Sequence, residues 1–328
     1  MGFITKYGSA WGALPMTAGS VYWLSPGATY TVEGRTYSAS DGNDGLSPER
    51  ALRTLAQAQT LAVASAGDVI ALLPGTHTVS TTSVAASKAG ITYMGLPYFP
   101  DARVGYGCGI VPEAILTTDI ATDEIMNITA ADLRLINLQI RPITAGTAIN
   151  FTTAAARLLV RDCYIDMITP VGHANTRGIA ATGATIAPAG VRIQNCTFVE
   201  DNAGTSQGVC LELAASINFM LERCTFYKER AASSAAWAIA VQMQDNCTGI
   251  IRDCDMMCVG GAAGDAITKG FNGVTHTLAA AVLCARNFKG VNVTLLFDDW
   301  AGADLDIVNN YTATVAGGTG STLITATT

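Results

Sequence analysis

The chain has 328 residues, 49% of them hydrophobic and only 14% charged, with a formal net charge of −7. That balance excludes a disordered chain, and the lack of any Lys/Arg cluster argues against nucleic acid, whose phosphates need a basic stripe. The apolar residues come in short bursts, none near the ~18 needed to span a membrane, so no membrane partner is expected.

Residues 1–40 are rich in Gly, Tyr and Trp and are read as an N-terminal attachment arm, with Tyr7, Trp11, Tyr22, Trp23 and Tyr30 as its candidate partner-binding side chains. The first residues carry neither a charged n-region nor a continuous apolar h-region, so folding in a host cytoplasm is expected. Residues 41–66 read as a cap segment. Within it, Thr54 and Gln57 have capping-box spacing ahead of a helix over roughly 55–65. Gly67-Asp68 ends that helix, and DVIALLPGTH follows as a buried strand closed by a Pro-Gly turn.

From about residue 130 a pattern recurs in which alternating apolar residues lead to Asn, Asp or Arg, often followed by Cys. Its copies include LRLINLQI (133–140), LLVRDCYI (158–165), VRIQNCTF (191–198), FMLERCTF (219–226) and GIIRDCDM (249–256). The polar marks Asn137, Asp162, Asn195, Arg223, Asp253, Asn287 and Asn309 are spaced 25, 33, 28, 30, 34 and 22 residues apart. Helical repeats hold a tighter period. A variable period with two-residue alternation fits coils of short strands joined by turns of unequal length. Stacking such coils places Cys163, Cys196, Cys224 and Cys254 in one column beside a polar column whose amides can bond from coil to coil. The expected body is an all-β, right-handed, single-stranded parallel β-helix over 67–315, of eight or nine coils and about 40 Å long at ~4.8 Å per coil. Residues 316–328 are read as a C-terminal tail.

DGNDGLSPERALRTL (41–55) followed by AGDVIALLPGTHTV (66–79) resembles the opening segment of the pectate-lyase-like right-handed β-helix superfamily. The Asn-Cys-Thr-Phe type of repeat extends the resemblance over most of the chain. It implies the fold. It does not select an activity, because the superfamily includes polysaccharide lyases, glycoside hydrolases, epimerases, phage tailspikes and inert virion proteins.

Motifs for chemistry are sparse. Gly204-Thr-Ser-Gln-Gly208 matches a nucleophile-elbow string, but a strand rather than a helix is expected after it. Three histidines and the cysteines lack metal-ligand spacing, and Gly45 stands where a calcium loop needs an oxygen, so no metal or cofactor is expected. Glycosidases need two carboxylates about 5–9.5 Å apart. The acidic candidates are Asp298, Asp299, Asp304 and Asp306, with Glu200, Asp201 and Glu212 as a second set, and their reading as solvated turn residues is the favoured one.

The functional expectation is a non-enzymatic bacteriophage virion protein, a capsid decoration protein of the phage branch of this superfamily, bound to the major capsid protein or another virion protein as a homotrimer. The alternatives are a tailspike or fibre that binds or cleaves a bacterial surface polysaccharide, and a polysaccharide lyase or glycoside hydrolase.

Overall fold

The structure is a computed structural model that describes residues 19–32, 34–80, 83–97, 111–119, 124–142, 147–167, 177–181, 188–200, 209–214, 218–228, 237–244, 247–258, 267–274, 282–286, 289–291, 293–298, 304–308, 311–313 and 322–323. Its strands fall into three long sheets, here A, B and C. Each coil visits A, then B, then C. The coil built on Val69–Leu72, Gly75–Val79 and Val84–Ala86 contributes the first of the eight strands of sheet C, which runs to Val293–Asp298. Pairing between successive coils is parallel and in register throughout, as in Leu135↔Val160 and Val160↔Ile193. This is the expected right-handed parallel β-helix.

The core is a set of side-chain columns. Ile140, Ile165, Phe198, Phe226 and Met256 share one register position of sheet B and are all buried. Phe198 and Phe226 stack at 4.8 Å between ring centroids and 9° between planes, which is the strand spacing expressed in aromatic contact.

The corner between A and B is a turn made by one residue in the left-handed region. Asn137, Asp162, Asn195, Arg223 and Asp253 hold φ between 51 and 56°. Asn and Asp tolerate that conformation because their short polar side chains bond locally. The backbone N–H at 137, 162, 195 and 223 donates to a carbonyl of the following coil. Asn195 Nδ2 also donates to Asp162 Oδ1 at 2.5 Å. The next residue turns inward, so Cys163, Cys196, Cys224 and Cys254 form the expected column, 0–1% exposed. Asn287 and Asn309 lie outside the described residues.

The N-terminal boundaries differ from the expectation. Val21–Leu24 is the first strand of sheet A, paired with Val69–Leu72, so the β-helix begins near 21 rather than 67. Thr29–Val32 and Arg35–Ser38 form an antiparallel hairpin. Tyr30 and Val32 of the hairpin pack with Trp23, Ala71, Met94 and Ile136 in a second apolar cluster. Residues 21–38 of the expected 1–40 arm therefore belong to the folded body, drawn in by burial of apolar surface, and 1–18 lie outside the described residues. Helix α1, Leu55–Leu61, is shorter than expected, since Ala62 already leaves the helical region at ψ 144°. Thr54 caps it by accepting from the Gln57 N–H at 3.2 Å. At the far end, Thr322–Leu323 pairs antiparallel with Tyr311–Ala313, so part of 316–328 also belongs to a sheet.

Candidate functional site

Sheet C carries a column of polar residues that share one register position. Met126/Ile128, Ile149/Phe151, Leu211/Leu213 and Val241/Met243 fill the core. The residues between them, Asn127, Asn150, Glu212 and Gln242, therefore face outward. Ala180 interrupts the column between Asn150 and Glu212, and Asn272 and Asp298 occupy the same register further on. Asn150 and Glu212 are only 7% and 4% exposed, so this outer face is recessed.

Glu212 is the most distinctive group on that face. It pairs with Arg177 of the preceding coil. Burial raises its pKa, and the Arg177 guanidinium opposes the rise. A carboxyl with a raised pKa is the usual form of a general acid. A sugar-cleaving site needs a second carboxylate within about 9.5 Å. The register neighbours of Glu212 are Ala180 and Gln242. Asp298 is three coils away, about 14 Å at the strand spacing. Neither register neighbour of Glu212 in the column is a carboxylate.

Three other buried carboxylates pair with an Arg or Lys of a neighbouring coil. Asp166 accepts from Gln139 Nε2 at 2.9 Å and from Arg141 Nε at 2.8 Å. Glu222 accepts from Arg252 at 2.6 Å and from Gln194 Nε2 at 2.9 Å. Lys228 Nζ lies 3.8 Å from Glu200 Oε2. The carboxylates of these three pairs are no more than 11% exposed. Such charge-assisted contacts hold adjacent coils in register and leave little carboxylate surface for a substrate.

The sequence candidates scatter. Asp298 ends a strand of sheet C, and Asp304 and Asp306 lie in the last strand of sheet A, so the acidic group does not gather on one sheet. Asp299, Asp201 and Ser206 lie outside the described residues, as do Tyr7 and Trp11. Trp23 and Tyr30 are 4% and 8% exposed, and the Tyr30 hydroxyl accepts from the Ala51 N–H at 3.0 Å. Tyr22 is half-buried and donates to the Leu61 carbonyl at 3.2 Å. Their packing is internal, which corrects their reading as a surface offered to a partner. The DGNDG stretch braces the start of α1, where the Asp41 carboxylate accepts the N–H groups of Arg53 and Thr54 and the Thr54 hydroxyl.

No family model matches the chain, and no curated protein does. Solved structures do. A pectin methylesterase crystallised with a hexasaccharide aligns over 93% of this chain and 92% of its own, at TM-score 0.55 and 13% identity. A rhamnogalacturonan lyase aligns over 90% and 74%, at TM-score 0.55 and 14% identity. The pectin methylesterase of Erwinia chrysanthemi gives TM-score 0.52 at 13% identity over 93% and 92%. The chain has the pectate-lyase-like fold. Identity this low establishes the fold alone. Within the pectate-lyase-like frame, the sequence reading missed Asn127 and Asn150 as members of one outward column. The strings MNI and INF, a polar residue between two core residues, carried that signal.

Proposed function

We propose that this pectate-lyase-like β-helix is a structural component of a bacteriophage particle, without catalytic activity, mounted on the capsid exterior. The observation that carries the non-catalytic half is the state of the carboxylates. On the described coil faces Asp166, Glu200, Glu212 and Glu222 are each buried and each held by an Arg or Lys of a neighbouring coil. A rigid rod with cross-coil ion pairs suits a load-bearing appendage. The placement on a phage head rests on the sparse charge and the absence of a catalytic motif in the sequence. Cryo-electron microscopy of the particle tests it. Rod-shaped density on the icosahedral shell supports the reading, and density at the tail or none on the particle overturns it.

A second reading is favoured by the outward column of sheet C. Amide and carboxylate side chains repeating at the coil spacing suit the hydroxyls of an extended polysaccharide, and the similar solved structures include pectin methylesterases and a rhamnogalacturonan lyase. In this reading the protein is a tail-associated spike that binds a bacterial surface polysaccharide. Loss of binding in Gln242→Ala and Asn150→Ala, on a panel of host polysaccharides, supports it. Release of new reducing ends or of unsaturated products from those polymers would instead establish cleavage.

A further inference from the structure

A cavity of about 510 Å3 opens beneath the N-terminal cap, between Ser25–Ala28, the start of α1 and the first strand of sheet B. Its size lies within the ~300–1,000 Å3 of small-molecule sites. Leu55, Val79 and Leu116 give it apolar walls, and Ser25, Asp41 and Arg53 give it polar ones.

His77 lines this cavity and is 5% exposed. Its Nε2 lies 2.8 Å from the Leu73 carbonyl. A carbonyl only accepts, so Nε2 carries the hydrogen, and in the neutral ring Nδ1 is a lone-pair acceptor. Among the described residues Nδ1 has no hydrogen-bond partner. Burial lowers the His77 pKa to about 4, so the ring is neutral near pH 7. One coil further, the same register position is Leu116. An aliphatic side chain thus packs at the equivalent place in the next coil.

The surrounding groups narrow the ligand class. A metal ion needs several donors, and the Asp41 carboxylate is already taken by three hydrogen bonds from Arg53 and Thr54. An anion gains little, because Asp41 offsets the charge of Arg53. What remains is a neutral molecule that donates hydrogen bonds and presents some apolar surface. We propose that the cavity binds a single sugar residue or a polyol of similar size, with a ligand hydroxyl donating to His77 Nδ1. This site lies at the cap and is separate from the column on sheet C, so it stands or falls independently of the particle reading.

The test uses the full chain with 15N-labelled histidine and titrates D-glucose, D-galactose, L-rhamnose and glycerol into the millimolar range. The His77 resonance is identified by its loss in His77→Leu, a variant that the Leu116 register predicts will fold. The expected result is a saturable shift of the Nδ1 signal with at least one probe. Calorimetry should then give a dissociation constant at least ten-fold weaker for His77→Leu. The absence of a saturable Nδ1 shift with all four probes overturns the proposal, as does equal affinity in the two proteins. If His77→Leu does not fold, His173→Gln and His276→Gln identify the His77 resonance by elimination, and the wild-type Nδ1 titration decides.

Discussion

Lys228 sits directly over Glu200: the two are register partners in adjacent coils of sheet B, on the side of the strand that faces the core, with Nζ 3.8 Å from Oε2. The side chains are 1% and 4% exposed. Charge buried this deeply is tolerated only while it is paired. Lys228→Met should therefore cost about 3–5 kcal/mol, because it strands the carboxylate, whereas Lys228→Met with Glu200→Leu should recover most of the loss. Urea unfolding of both variants measures this. Equal stability of the single and double variants would show that the pair does not act as a unit.

The left-handed corner makes a second prediction. Arg223 holds φ 51° where the same turn elsewhere uses Asn or Asp. A side chain with no local polar reach is strained there by about 1–2 kcal/mol. Arg223→Asn should raise stability by about 0.5–1 kcal/mol while keeping the backbone bond to Arg252. A lower melting temperature in Arg223→Asn would contradict this account of the turn.

His77 gives the pH dependence. Its folded pKa, about 4, lies below the ordinary 6.5. As pH falls, the unfolded chain takes up the proton first, so stability is fully present above 6.5 and is lost as pH falls through 4. The 2.5-unit gap corresponds to about 3 kcal/mol. The stability difference between wild type and His77→Leu, followed by denaturant melts from pH 7.5 to 4, should shift by that amount in favour of the variant. A difference that does not change with pH would mean that the imidazole is not held neutral.

Thiol accessibility tests the core. Cys163, Cys196, Cys210, Cys224, Cys247 and Cys254 are all buried and free. Burial pushes Cys163, Cys196, Cys210 and Cys224 well above the ordinary thiol range. Thiolate is the reactive form, so iodoacetamide should leave these six unmodified in the native protein. Peptide mass spectrometry should find them labelled only after unfolding. Rapid native labelling at Cys196 would mean that the corner column opens.

The repeat was legible because its physics is local. Asn137, Asp162 and Asn195 mark a one-residue turn, and that turn leaves its signature in sequence as a polar residue ahead of a buried Cys. The cap was legible at Thr54 for the same reason. The pairing of Val21–Leu24 with Val69–Leu72 was hidden, because joining segments 48 residues apart depends on which sheet edge is free. Trp23 and Tyr30 were misread for that reason: an aromatic-rich stretch looks alike whether it faces a partner or covers the chain's own sheet. The column on sheet C was hidden in part because turns of unequal length conceal which residues share a register.

The final strand, Thr322–Leu323, runs against the direction of every other strand in sheet B. Parallel sheets with open ends are templates on which a second chain can nucleate and extend a filament. A newcomer continuing the winding would need an edge at which successive strands all run one way. Here that edge of sheet B already holds a strand of opposite polarity, so a newcomer could not continue sheet B from Tyr311–Ala313 in the same parallel sense.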